Sequence, residues 1–121
     1  MLEIVFYPEN GQEPCSIDIA SDFLRWLAKS DFLEIGATHP TKIHIDGEEA
    51  ELPLVNLGQG NRKRLRDFLL EEISQESDAV LHQLGDSPSK KEVQAVTYRL
   101  KKLQELRKCV ENPNYHYLQR F

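Results

Sequence analysis

Apolar residues recur at helical spacing between Pro88 and Asn112. Five of them follow one another at steps of 3, 4, 3 and 7 positions: Val93, Val96, Leu100, Leu103 and Val110. This spacing keeps their side chains on one narrow seam of an α-helix. Ser87 offers a capping oxygen in front of Pro88, and Pro113 disfavours the helical conformation at Asn112. The pattern predicts a helix over residues 88–112.

The preceding stretch, from Asn61 to Leu84, has a similar periodicity. Its apolar residues lie at intervals of roughly four positions: Leu65, Leu69, Ile73, Val80 and Leu84. Residues 85–87 form a link short enough for the two helices to fold back on each other. We therefore expect an antiparallel αα-hairpin over residues 58–112.

The N-terminal region alternates between apolar and polar residues and predicts strands. Residues 2–7 and 15–19 form two β-rich runs on either side of a loop whose tip is Asn10-Gly11, which favours a hairpin. Ser21 follows as the expected N-cap of a helix that ends near Lys29.

A second hairpin is predicted over Thr41–Leu52, with its turn at Asp46-Gly47. Pro53 in the return strand indicates an edge position or a bend. Together the elements predict an α+β fold: a small, mainly antiparallel sheet of about four strands with one crossing helix, followed by the αα-hairpin. We expect a single domain over 1–121, made of the sheet and helix (1–57), the hairpin (58–112) and an aromatic tail (113–121).

Composition places the chain among ordinary globular proteins. Its 121 residues are 40% hydrophobic and 29% charged, with a net charge of −5. The sequence has no long apolar run and no basic, apolar leader, so we expect a soluble cytoplasmic protein with no membrane partner. Cys15 and Cys109 belong to no metal or redox motif, and free thiols are the expectation, with a disulfide between them as the less favoured alternative.

Charge is distributed unevenly along the chain. The first 60 residues carry eleven acidic and three basic side chains, whereas the remainder carries nine acidic and twelve basic ones. Opposite charges on the two halves favour docking within the chain or between chains.

The densest basic cluster lies at the start of the predicted helix from Asn61. Gly58 and Gly60 precede it, and a helix N-terminus with free amides can bind an anion. In the predicted hairpin Leu65 lies opposite Arg107 and Arg64 opposite Lys108. One end of the hairpin, here called the basic pole, then gathers six bases: Arg62, Lys63, Arg64, Arg66, Arg107 and Lys108.

Three partners could neutralise the basic pole. The acidic turn Asp46–Glu51 could fold against it, a phosphate or nucleic acid could bind it, or an acidic patch on a second copy or another protein could dock there. Nucleic acid is disfavoured by the acidic net charge and by the lack of aromatic residues among the bases. No Gly-Lys-Ser/Thr follows Gly58 and Gly60, so this is not a Walker loop.

The tail is rich in aromatic residues. Tyr115, Tyr117 and Phe121 either pack back across the sheet or hairpin or form an aromatic anchor for another chain.

We expect a non-catalytic regulatory or adaptor protein, with no cofactor and no metal, that binds a protein partner or a second copy of itself through the hairpin and its basic pole. The alternatives are an RNA- or DNA-binding accessory protein and a small enzyme in which Cys15 meets His39 or His44.

Overall fold

A computed structural model of the chain describes residues 2–9, 13–45, 47–58, 60–84 and 90–120. It confirms the α+β class. In chain order the elements are β1 (Leu2–Pro8), β2 (Cys15–Ile19), α1 (Ser21–Ala28), a 3₁₀ turn (Asp31–Leu33), β3 (Thr38–Ile45), β4 (Glu48–Asn56), α2 (Asn61–Leu84), α3 (Lys90–Glu111) and β5 (Tyr115–Gln119).

The strands form one antiparallel sheet in the order β2-β1-β5-β4-β3. Both predicted hairpins are present, with Leu2 opposite Ile19 in the first and Ile45 opposite Glu48 in the second. Their predicted turn residues, 10–11 and Asp46, lie outside the described residues. The sheet has five strands instead of about four because the aromatic tail is a strand of its own.

β5 occupies the middle of the sheet and joins the two hairpins. On one side Tyr117 lies opposite Tyr7 of β1, and on the other Leu118 lies opposite Val55 of β4. β4 pairs with β5 only at Val55 and Asn56. Pro53 therefore lies in the part of β4 whose partner is β3, so the edge position predicted for this proline is consistent with the pairing.

The main core lies between one face of the sheet and the helices. Its largest members with essentially no solvent exposure come from every layer: Ile4, Phe6, Leu27, Phe32, Leu65, Leu69, Leu103, Leu106 and Leu118. The opposite face carries a smaller cluster in which Val5 and Tyr7 of β1 are buried with Ile43 and Leu54 of the second hairpin. Both faces of the sheet are thus covered at least in part, as an apolar pleated surface requires.

The αα-hairpin forms in the predicted register. Helix α2 has the predicted bounds, and the described part of α3, Lys90–Glu111, lies within the predicted 88–112. The predicted capping residues Ser87 and Pro88, and the side chains of Val93 and Val96, lie outside the description. Arg62 of α2 contacts the backbone of Val110 in α3. The start of α2 therefore lies beside the end of α3, as expected.

The N-cap prediction for α1 is wrong by one position. Ala20 is the N-cap residue and provides no side-chain cap, while Ser21 is the first helical residue. The backbone N–H of Ala20 donates instead to the hydroxyl of Tyr98, 2.9 Å away on α3. The N-cap residue is therefore tied to α3 through its own amide, and no side chain caps the first turn of α1.

Candidate partner-binding surface

Arg62 is the most deeply engaged member of the basic pole. Its Nη1 donates to the carbonyls of Val110 and Asn112, at 2.6 and 2.8 Å, and its Nη2 donates to the carbonyl of Tyr115. These carbonyls belong to the end of α3 and the start of β5, where a helix leaves acceptors unsatisfied. Burial lowers the pKa of Arg62. Arg62 therefore fastens α2, α3 and β5 together and faces the protein.

Arg120 also donates to backbone carbonyls, at a different place in the fold, and the sequence pattern did not identify it. Its Nη1 donates to the carbonyls of Phe32 and Ile35, at 2.6 and 2.7 Å, and its Nη2 donates to Gly36 at 2.8 Å. Burial lowers its pKa as well. Gly36 has a φ of +78°, and a Cβ there would lie 2.8 Å from Val55. The loop after the 3₁₀ turn is thus held in a conformation that requires glycine.

Arg107 is also committed within the chain. Its Nε donates to Gln104 at 2.9 Å, and its Nη1 pairs with Glu111 at 2.8 Å, one helical turn away. Arg66 reaches Asp67 only at 3.4 Å and remains partly exposed. Two of the six predicted bases, Arg62 and Arg107, therefore have internal partners that a ligand would have to displace.

Three bases of the pole remain available. Lys63, Arg64 and Lys108 are exposed, and none has an acidic partner within 4 Å among the residues that the structure describes. Each of these cations is therefore free to meet an acidic group of a partner.

The surroundings of these bases differ. Arg64 borders a polar hollow of about 390 Å³ lined by Glu34, His39, Asn56 and Asn61. Lys108 borders a separate groove beside β2. The accessible part of the basic pole thus spreads over the end of the hairpin and does not converge on one pocket.

The glycine loop before α2 is closed by its own hydrogen bonds. The backbone N–H of Asn61 donates to Gly58 at 3.1 Å, that of Arg62 to Leu57 at 3.2 Å, and that of Gly58 to the side chain of Asn56 at 2.7 Å. Gly60 supplies a positive φ of 85° for the turn. With these first amides occupied, Gly58 and Gly60 shape the entrance to α2, and an anion would have to rely on the side chains.

The acidic turn does not neutralise the pole within the described ranges. Glu48, Glu49 and Glu51 are exposed, and they face β3, where Glu51 lies opposite Lys42 and Glu49 opposite His44. Asp46 is outside the described residues. The ion pairs present in the described chain include none between this turn and the basic pole.

The aromatic residues of the tail have mostly structural neighbours. The ring of Tyr115 lies 6.0 Å from that of Phe6, and Tyr117 packs against the cluster on the outer face of the sheet. Phe121 is outside the described residues. Tyr115 and Tyr117 are half-buried, so their packing accounts for them without an anchoring role.

The residue pairs considered for catalysis are not brought together. Cys15 lies on β2 and His39 and His44 lie on β3, at opposite edges of the sheet. The neighbour of Cys15 is Cys109. In the part of the chain described above, no group of three or more His, Cys, Asp or Glu residues is arranged to hold a metal ion.

An aromatic cleft between α1 and α3 is a feature that sequence reasoning missed. It has a volume of about 330 Å³ and is lined by Phe23, Trp26 and Tyr98. The guanidinium of Arg99 lies 5.7 Å from the Trp26 ring and 3.6 Å from Glu76. The spacing of Phe23 and Trp26 by about one helical turn, together with Tyr98 outside the main apolar seam of α3, was the available signal.

Comparison with known proteins adds no further constraint. No family model, curated protein or solved structure matches this chain. The helices described here are also too short or too polar to cross a membrane. Function is therefore inferred from the arrangement of the side chains alone.

Proposed function

We propose that this chain is a small non-catalytic interaction protein that binds an acidic surface of a partner protein through the basic pole. The observation that carries the proposal is the exposure of Lys63, Arg64 and Lys108, none of which has an ion-pair partner within 4 Å in the described chain. Basic side chains in the first turn of a helix are repelled by the positive end of the helix dipole. This unfavourable interaction indicates that a binding partner compensates for it.

A rigid platform supports this proposal. The hydrogen bonds from Arg62 to the end of α3 hold the two helix termini in one place, so the backbone that carries the exposed cations does not have to be ordered on binding. Complementary charge on a partner would increase the association rate and fix the orientation of the complex more than it would increase the binding affinity.

Nucleic acid remains the competing partner, and the count of available bases disfavours it. Arg62 and Arg107 have internal partners, which leaves Lys63, Arg64, Lys108 and the partly exposed Arg66 for phosphate contacts. A net charge of −5 repels the phosphate backbone at long range. An acidic protein patch requires fewer simultaneous contacts than a nucleic-acid backbone.

The proposal can be tested by charge reversal. The variant K63E/R64E is compared with K29E/K101E, which changes the net charge equally at two other exposed lysines. Proteins cross-linked to each variant in extracts of the native cells are quantified by mass spectrometry at several salt concentrations. We expect the specific partner to be lost by about tenfold or more with K63E/R64E and retained with K29E/K101E, with recovery weakening as salt rises.

Binding to labelled single-stranded RNA and duplex DNA, measured by fluorescence anisotropy, distinguishes the alternative. Salt-sensitive nucleic-acid binding that K63E/R64E removes would replace the protein-partner proposal. Equal recovery of the same partners by both variants would exclude the basic pole as the binding surface.

A further inference from the structure

The two cysteines of the chain lie in contact although they are 94 residues apart. The Sγ atoms of Cys15 on β2 and Cys109 on α3 are separated by 3.5 Å, close enough for either thiol to donate to the other. Both are free and half-buried. The two sulfurs come together because α3 packs against the edge strand β2. The residues next to Cys15 or Cys109 in the sequence do not predict this contact.

The pair can be reached from solvent. It lies in a groove of about 430 Å³ whose walls include Ser16, Asp18 and the basic residues Lys102 and Lys108. Lys102 is paired with Glu105 at 3.2 Å, whereas Lys108 has no such partner in the described chain. The groove thus places Lys108 near two thiols, and Asp18 and Glu105 line it as well, so it offers groups of both charges to a small zwitterionic disulfide.

The thiol of Cys109 is held in its protonated form. Burial raises its pKa to about 12, and the hydrogen bond shared with Cys15 and the charge of Cys15 add to this effect. Because the thiolate is the nucleophile in exchange, Cys109 is suited to react second, once its neighbour has been modified.

We propose that Cys15 and Cys109 form a redox-active dithiol site whose substrate is a small disulfide of the glutathione type. The thiolate of Cys15 attacks one sulfur of the small disulfide, which breaks its S–S bond, forms a mixed disulfide at Cys15 and releases one small thiolate. Cys109 then loses its proton to that thiolate or to water and attacks the Cys15 sulfur. The second small thiolate leaves, so two protein thiols are oxidised while one small disulfide is reduced to two thiols.

The product would tie the edge strand β2 to α3. β2 has β1 as its strand neighbour in the sheet, and a covalent link to α3 would hold its other side. The folded state already places the two sulfurs together, whereas the unfolded chain would have to close a long loop to join them. Oxidation is therefore more favourable in the folded protein than in the unfolded chain. Closing a loop of this length corresponds to a preference on the order of 10³-fold. This site shares Lys108 with the basic pole, but its two reacting sulfurs lie outside that surface.

The test compares the same chain folded and unfolded. Wild-type protein is equilibrated over a series of reduced-to-oxidised glutathione ratios, in buffer and in concentrated urea, trapped by alkylation and measured by intact mass. We expect an intramolecular disulfide, lighter than the dithiol by two hydrogens, with an equilibrium constant about 10³-fold larger in the folded protein. A ratio below about tenfold, or a product that is a dimer or carries retained glutathione, would overturn the proposal.

Single variants assign the order of attack. Cys109→Ser should accumulate one glutathione adduct at Cys15, while Cys15→Ser should remain largely unmodified in the folded state. Adducts forming faster at Cys109 than at Cys15 would overturn the proposed sequence of steps. Circular dichroism establishes that each variant is folded. The comparison of folded with unfolded wild-type protein does not depend on these variants.

Discussion

At the scale of single residues, the arginines of this protein divide into two kinds. Arg62 and Arg120 each donate to three backbone carbonyls, and neither has a described carboxylate as its partner. Arg64 is exposed and has no carboxylate within 4 Å in the described chain. A planar guanidinium can satisfy several converging carbonyls at once, which a lysine ammonium cannot do in the same geometry.

Substitution of Arg62 should therefore cost stability, whereas substitution of Arg64 should not. We expect Arg62→Ala to lower the free energy of unfolding by about 2 to 3 kcal/mol, because it leaves carbonyls at the end of α3 without a charged donor. Arg62→Lys should recover only part of this loss. Urea denaturation followed by circular dichroism measures both.

Arg64→Ala is the matched control, since it removes the same side chain two residues further along the helix. We expect its free energy of unfolding to stay within about 0.5 kcal/mol of wild type. Equal losses at the two positions would show that Arg62 is no more structural than its exposed neighbour.

At the scale of elements, α2 carries its charges in an unfavourable order. Its first turn contains no acidic residue, and its acidic residues gather further along the helix. Burial raises the pKa of Glu72, and the nearby Glu71, Glu76 and Asp31 raise it further. The helix is therefore held in place by its apolar face, with Leu65, Leu69 and Ile73 buried, and its charges oppose that packing.

Glu72→Gln should stabilise the protein at neutral pH. A raised pKa means that the folded state holds the proton more tightly than the unfolded chain does, so the wild type loses stability as pH rises above the ordinary value of 4.5. We expect a gain of a few tenths of a kcal/mol at pH near 7 that disappears below the ordinary pKa of the carboxyl. Thermal unfolding over a range of pH values measures the difference.

The control for this experiment is Asp78→Asn, which removes one negative charge from an exposed position of the same helix. A gain confined to Glu72→Gln supports a local cause at Glu72. A gain of equal size in both variants would attribute the effect to net charge alone.

At the scale of the whole molecule, the last strand completes the sheet. The two β-hairpins come from residues 2–19 and 38–56, and β5 is inserted between them. The hydroxyl of Tyr7 donates to Gln119, 112 residues away, at 2.9 Å. The sheet therefore becomes continuous only when the end of the chain has docked.

Leu118→Ala should destabilise the entire domain. Leu118 has no exposed surface and lies in the main core, so we expect a loss of about 2 to 5 kcal/mol in the free energy of unfolding. Leu81→Ala, at a leucine that is 68% exposed, should change it by less than about 0.5 kcal/mol. Chemical denaturation gives both values, and a small effect of Leu118→Ala would contradict a central position for β5.

Local patterns predicted much of this fold and little of its surface chemistry. The bounds of α2 follow from apolar spacing, and the two hairpins follow from alternation and turn residues. The N-cap of α1 was misplaced by one residue because a capping serine marks the start of a helix only to within a position or two, and here Ser21 is already helical. The tail was read as an aromatic segment because Tyr117 and Leu118 are adjacent and break the strict alternation that marks a strand.

The features of the candidate site were likewise predicted only in part from the sequence. The sequence identified where the bases lie along the helices and which ends of the hairpin meet. It did not show that Arg62 turns toward Val110 or that Arg107 pairs with Glu111. A run of four bases has the same appearance in sequence whether each side chain faces solvent or the backbone of another element.

The sequence by itself determined the local elements of this protein, because helical and strand periodicity and turn chemistry depend on residues a few positions apart. Tertiary structure alone decided that β5 lies between the hairpins, that Arg62 and Arg120 serve the backbone, and that the two cysteines meet. Each of these outcomes joins residues about 50 to 110 positions apart. Such contacts form only when the apolar faces of helices and sheet pack together. The residues that flank each partner in the sequence therefore do not predict them.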